Sequence, residues 1–533
     1  MERGGVYNDI TPLRATIVVA ANAFTTTIGS NSVTVNDATG GFFVGDFVTI
    51  SGSGAVNGIP AGEINGEHQI VSATATTWTF TTTTAATSSG TTGAATFAYQ
   101  INVGLATYIS GGGWSAGGFG RSTWGSGVSG AGAGAGSQMR LWNHSNFGED
   151  LVFGPRDGAI YFWNYDISFP RGVLLSTQPG ASNVPEIHKY LLVSDNRFLI
   201  AFGVNPIGSS TQDPMLIRWA DQESITNWTP AITNQAGEQR LARGSQIITA
   251  AQTRQEILVW TDASLYSMQY VGPDPIWGFT ILADNTSIIG PNAAATVNNV
   301  TYWMGTDKFF IYTGRVETLP CALRQYVFGD INLDQSFQVV SGSNEGYNEI
   351  WWHYCSANSD TVDRYVIYNY LERVWYYGTL DRTAWLDSPL RTFPMAAANG
   401  TILYHEASVD DESTGVPAPI TSFVQSADFD IGDGHAFGFV WRIIPDVTFA
   451  GSTATNPSVT FTVRPRRNPG APYGADDTPT VTRTQTVPVE QYTQYAYVRM
   501  RGRQMALRVG SDGLGTTWQL GAPRIDVRPS GRK

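Results

Sequence analysis

QEILVWTDASLYSMQY (255–270) and VTYWMGTDKFFIYTG (300–314) decide the fold. In the first, an apolar run from Ile257 to Trp260 meets the polar turn Thr261-Asp262-Ala263-Ser264, and a second run follows from Leu265 to Tyr270. The second stretch repeats the pattern with Val300 to Met304, Gly305-Thr306-Asp307-Lys308 and Phe309 to Thr313. Short runs rich in β-branched and aromatic residues and bounded by Gly, Asp, Asn or Pro are strand signals. The same grammar extends outward through LVFGPRDGAIYFWNY (151–165), KYLLVSDNRFLIAFG (189–203), PMLIRWADQES (214–224), NEIWWHYC (348–355), RYVIYNYLERVWYYG (364–378) and GTILYHE (400–406). The period is roughly 40 to 50 residues, as in blade repeats. A lone hairpin leaves a face uncovered, and a closed ring of blades buries it while protecting the strand edges. The chain therefore reads as an all-β protein built around a β-propeller.

Composition agrees with that reading. The chain has 533 residues, of which 14% are charged and 12% aromatic, with 58 glycines, a balance that suits packed strands and tight turns. Cys321 and Cys355 are too few for a disulfide framework and read as buried free thiols. No N-terminal apolar core with a cleavage site is present, and no segment holds about 18 uninterrupted apolar residues, so the chain reads as cytosolically made with no membrane span. Net charge is −12 but uneven: residues 441–533 hold thirteen Arg or Lys against six acids. Such a basic end can meet nucleic acid or an acidic protein surface. Alternating Arg on the solvent face of a strand explains VRMRGR (498–503) equally well.

Five segments follow from composition. Residues 1–14 supply a strand that enters the propeller, and 15–101, rich in Thr, Ala and Val and nearly uncharged, form an inserted small β-domain of immunoglobulin-like or small-barrel type. Residues 102–140 are a docking segment and linker, with twelve glycines between Ser110 and Ser137; Trp114, Phe119 and Trp124 are expected to pack. The propeller occupies 141–415. A C-terminal β-sandwich-like domain follows over 416–533, where SVTFTVRPRR, TVTRTQTVPV, QYAYVRMRGRQMALRVG and PRIDVRP alternate as half-buried antiparallel strands do. Helical candidates are brief, such as Ala322 to Phe328.

No motif carries catalysis. Gly113-Trp114-Ser115-Ala116-Gly117 matches a nucleophile elbow, but that turn works between a strand and a helix, and here it lies in a glycine tract. Asp428 to Gly434 (DFDIGDG) has its third acid displaced from the calcium-loop position and lacks the closing bidentate acid, so it reads as a turn. Ser511 to Trp518 (SDGLGTTW) resembles an Asp-box hairpin turn, itself a structural feature. The histidines, at 68, 144, 188, 353, 405 and 435, form no paired ligand set. A glycosidase carboxylate pair would come from different blades, and nothing singles out two acids. No catalytic, cofactor-binding or metal-ligating residue is therefore expected, and the chain reads as a non-enzyme.

GGWSAGGFGRSTWG, MRLWNHSNFGEDLVFGPRDGAIYFWN, PMLIRWADQESITNWTP, QEILVWTDASLYSMQYVG and GSDGLGTTWQLGAPRIDVRPSGRK, in that order across 105–533, resemble the tail nozzle, or tail tubular, proteins of short-tailed bacteriophages and related tail-hub proteins. The resemblance implies a β-propeller with an appended β-domain, in six copies around the tail axis of a virion, below the adaptor ring and above fibres or a distal tip protein, with double-stranded DNA passing through. It carries over no catalytic residue. In such proteins a strand-rich segment commonly precedes the turn resembling GGVYNDITP, and here Met1 starts almost on it, so a blade is expected to be shortened or completed by another chain. The Thr-rich domain then reads as an insertion, with Val6 to Ile10 and the segment after Ile101 rejoining in space. Arg499, Arg501 and Arg503 are expected to face a neighbouring subunit, adaptor or fibre, together with Trp114, Phe119 and Trp124. A tail adhesin or glycan-binding propeller is the alternative, and a glycan-cleaving enzyme a more distant one.

Overall fold

The computed structural model describes the chain except 1, 4–5, 106, 108–138, 166–170, 273–274, 388–391, 399, 433, 475–482 and 532–533; for 2, 3, 6 and 7 it describes the backbone alone. Trp114, Phe119, Trp124 and the elbow-like Gly113 to Gly117 lie outside the described residues. The chain divides into two compact units, Met1–Asp387 and Ser388–Lys533. The hairpin of Met395–Ala398 and Thr401–Tyr404 counts with the second unit.

Five consecutive four-stranded antiparallel meanders make up the propeller of the first unit. Blade 1 consists of Trp142–Phe147, Asp150–Pro155, Tyr161–Trp163 and Val173–Leu174; blade 2 of Tyr190–Val193, Leu199–Phe202, Leu216–Trp219 and Gly237–Arg240. Blade 3 consists of Ile247–Gln252, Ile257–Thr261, Ser264–Tyr270 and Trp277–Asp284; blade 4 of Ala294–Val297, Val300–Met304, Phe309–Tyr312 and Val316–Leu319. Blade 5 consists of Val340–Asn344, Glu349–Tyr354, Arg364–Asn369 and Val374–Thr379. The polar turns at 261–264 and 305–308 join second and third strands, where the sequence places hairpins.

Burial explains why these strands read as continuous apolar runs. Every residue of Ile257–Thr261 and of Leu216–Trp219 is buried, because these blades have neighbours packed on both faces. Alternate side chains serve opposite neighbours: Leu258 and Trp260 join a cluster with Trp303 and Trp352 of blades 4 and 5, while Ile257 and Val259 join one with Ile200, Phe202 and Ile217 of blade 2. Trp260 meets Trp303 edge-on at 5.5 Å. The outermost strands Gly237–Arg240 and Val374–Thr379 are largely exposed, as the rim of such a body must be. Trp228, Trp260, Trp303 and Trp352 are thus core residues; Trp352 donates to the Ala293 carbonyl at 3.0 Å and Trp228 to that of Ile225 at 2.8 Å.

The Thr-rich segment folds as two facing sheets. One orders Leu13–Val19, Ala95–Gln100, Phe47–Ser51 and Gly66–Gln69; the other orders Gly90–Thr92, Phe24–Thr26, Ser32–Asn36, Thr77–Thr81 and Ser72–Ala73. Phe24, Val33, Val35, Trp78, Phe80 and Phe97 fill the space between them. Its two ends meet, since Ile101 donates to the Pro12 carbonyl at 3.0 Å. Just before it, Asp9 pairs with Arg171 at 2.7 Å, Gly172 donates to the Ile10 carbonyl at 2.9 Å, and Ile10 packs on Leu151, Phe153 and Trp163 of blade 1. Brief helices occur at Ala61–Ile64 and Arg324–Asp330, and both cysteines are free, Cys355 buried and Cys321 partly so.

The second unit is a β-sandwich. One sheet pairs Gln504–Ser511 with Ser422–Gln425, Phe429–Asp430 and Ser458–Arg466, and the last of these with Gln485–Glu490. The other orders Ala496–Gly502, Gly438–Ile444 and Arg524–Pro529. Val440, Ile443, Val459, Phe461, Val463, Val498, Met500 and Val509 form the core between them.

A candidate assembly surface

In Ala496–Gly502 burial alternates strictly: Ala496, Val498, Met500 and Gly502 turn inward, and Tyr497, Arg499 and Arg501 outward. A half-buried antiparallel strand requires this period of two. Pairing sets what lies beside each outward residue. Phe439 stands between Arg501 on one side and Arg528 on the other, and Arg442 between Tyr497 and Asp526. The register shifts between Val440 and Arg442, a bulge that holds Trp441 on this face beside both arginine rows.

The guanidinium groups are stacked before any partner arrives. Arg442 lies 4.7 Å from the Trp441 ring centre and 5.0 Å from that of Tyr495, and Arg528 lies 4.8 Å from Trp441. Arg501 sits 4.3 Å over Phe437 and donates to the Ser530 carbonyl at 2.9 Å. Arg442 Nε bonds Asp526 at 2.6 Å. Tyr497 remains 60% exposed and Tyr492 87% exposed. An arginine already held over an aromatic ring loses little freedom when it binds a carboxylate or phosphate. Arg, Trp and Tyr are also the residues that dominate binding energy at protein interfaces.

Arg499 and Arg501 thus occupy one outward face, and Arg503 does not. It follows the strand, half-buried, over the Phe437 ring at 5.0 Å, and donates to the Gly434 carbonyl at 3.2 Å, so its charge serves the turn. The alternation of VRMRGR exposes the first two arginines, but it ends at Gly502, where the chain turns into the next strand. Sequence reasoning missed Trp441, Arg442, Arg524 and Arg528 as neighbours, because sheet pairing brings them from strands far away in the chain. For Arg524 and Arg528 a signal was present in the alternation of PRIDVRP. Asp428, in the calcium-like stretch, is taken by Arg466 at 2.8 Å and by the Tyr473 hydroxyl at 2.7 Å.

A second arrangement links the blades. Pro155-Arg156-Asp157-Gly158 is a tight turn after the second strand of blade 1, with Asp157 in the left-handed region at φ 58°. Arg156 reaches from it to the carbonyls of Lys189 at 3.2 Å, ahead of blade 2, and of Ile248 at 2.8 Å, in blade 3. Its guanidinium stands 5.4 Å from the ring of Phe337, just before blade 5. One side chain therefore ties the blade 1 turn to the entry of blade 2, to blade 3 and to the segment that precedes blade 5. Beside it Asp157 pairs with Lys189 at 3.1 Å; burial pushes this carboxyl upward, but Lys189 and Arg156 outweigh it and hold it below the usual range.

Neither a family model nor a curated protein matches the chain. Among solved structures it is similar to a phage phi92 endosialidase over 74% of this chain and 57% of that one, at 12% identity and a TM-score of 0.20. It is similar to the extracellular domain of the one-component system BT4673 from B. thetaiotaomicron over 50% of this chain and 33% of that one, at 10% identity and a TM-score of 0.32. The AfRom2 CNH domain matches 54% of this chain with 88% of its own, at 10% identity and a TM-score of 0.29. Likenesses this distant carry no argument about function.

Proposed function

We propose that the chain is a structural protein of a phage virion, forming a nozzle or hub ring at the distal end of a short tail that conducts and retains the genome and anchors neighbouring tail proteins. The observation that carries this reading is the exposed arginine and tyrosine face of the C-terminal sheet, built like a protein interface and attached to a rigid all-β body. Arg156 adds a constraint. Because it bridges blades 1 and 3 inside the propeller, the conduit in this reading is the opening enclosed by a ring of copies. The acidic excess suits such a wall, because each phosphate neutralised by Lys or Arg adds affinity that ejection must break again. Six copies, an adaptor above and fibres or a tip protein below complete the proposal. Gold-tagged antibody against this chain, applied to purified particles, tests it: label at the distal tail is expected, and label on capsid or fibres would overturn it.

A further inference from the structure

We propose that the outer face of the C-terminal three-stranded sheet docks onto a carboxylate-rich surface of the first unit of a second copy of this chain, in a head-to-tail contact. The inference rests on the ring reading above and names the surface and chemistry that would hold the ring. Arg442, Arg499, Arg501, Arg524 and Arg528 lie on the face-forming strands against the single acid Asp526. Lys533 apart, every cation of 388–533 is arginine. Arginine matches carboxylates in a two-pronged fork and tolerates the stacking seen here, which an ammonium does not reproduce. Among the described residues neither Arg499 nor Arg524 forms an ion pair, so both project with their charge uncompensated.

This face cannot pack on its own copy. A two-fold contact would set arginine against arginine, and like charges brought together at an interface cost several kcal/mol. Its complement lies elsewhere on the chain. Residues 1–387 carry thirty-one acids against eighteen Arg or Lys, about −13, whereas 388–533 carry thirteen acids against fourteen, about +1. A contact joining two different surfaces is heterologous, and repeated by rotation it closes a ring. Nucleic acid fits less well: Asp526 opposes phosphate in the middle of the face, and the tyrosines supply the apolar area a protein partner buries.

The test uses the purified full chain. Sedimentation velocity is expected to show assemblies that dissociate as salt is raised, since the contact is charge-driven. Replacing the two arginines without an ion pair, Arg499→Glu with Arg524→Glu, is expected to weaken association by about tenfold or more with an unchanged melting curve. Arg499→Lys, mixed as isotopically light and heavy chains and treated with a carbodiimide, is expected to give light-to-heavy crosslinks to acids within 1–387. Assembly at full strength in the double variant, or crosslinks confined to 388–533, would overturn this face while leaving a ring held by other contacts standing. A chain that stays monomeric at every salt concentration would overturn the second copy as occupant. Binding of a DNA duplex that the double variant abolishes would transfer the face to nucleic acid and overturn the proposal.

Discussion

Arg156 sits in a PRDG turn that, taken residue by residue, is indistinguishable from solvated surface. Only the ring of blades turns it into a pin between blades. Its bonds to the Lys189 and Ile248 carbonyls are made by a charged donor, and such bonds contribute about 1.5–3 kcal/mol. Arg156→Ala is therefore expected to lower the stability of the first unit by about 2–3 kcal/mol, read as a shift of the urea midpoint; an unshifted midpoint would deny the pin. Arg156→Lys is expected to recover only part, because both bonds come from Nη1 of a rigid planar group whose position a flexible ammonium stem does not reproduce. His188, fully buried against Gly154, gives a pH signature. Burial pulls its pKa from 6.5 to about 4. The unfolded chain then binds more protons between those values, so the stability contribution is complete above pH 6.5, falls as the pH drops toward 4, and is flat below. The loss amounts to about 3 kcal/mol. His68 and His144 are shifted downward too, so the comparison is between the native chain and His188→Gln: the variant is expected to show a shallower decline of the urea midpoint from pH 6.5 to 4.

Strands were readable where both faces are buried, because runs such as ILVW and YLLV have no other use in a chain poor in charge. The outermost strands were not: Gly237–Arg240 reads GEQR, with neither alternation nor β-branching, and forms a strand only because Leu216–Trp219 offers it an edge. The same limit applies to the assembly face. Arg499 and Arg501 were legible from one strand, but the rows they complete depend on pairings and on a bulge that local pattern does not encode. At this scale packing makes two predictions. Trp260→Ala removes a fully buried ring held between Leu258, Leu265 and Trp303, and is expected to cost about 3–5 kcal/mol, measured by chemical denaturation. A protease site introduced within 102–140 and cut to completion is expected to leave 1–101 co-eluting with the remainder, held by Asp9 with Arg171 and by the Ile10 contacts on blade 1. Free release of that fragment would sink the docking described for its ends.

For the whole molecule, the division of charge carries the functional account. A body of about −13 joined to a unit whose cations are nearly all arginine has an acidic surface that shuns phosphate and a basic face that seeks carboxylates. Charge reversal on that face is therefore expected to reduce incorporation into particles without impairing folding, checked by the amount of this chain in purified virions. Composition alone exposed the asymmetry; which residues display it, and that Arg156 bridges blades 1 and 3, required the pairing of distant strands. The measurement that bears most directly on the central claim is an electron cryomicroscopy reconstruction of the virion tail with this chain tagged. The account predicts a ring at the distal end, its DNA path running between copies and outside every propeller axis, with Arg499 and Arg524 of one copy against acids of the next. Density for this chain confined to fibres or capsid, or a DNA path through a propeller axis, would contradict it.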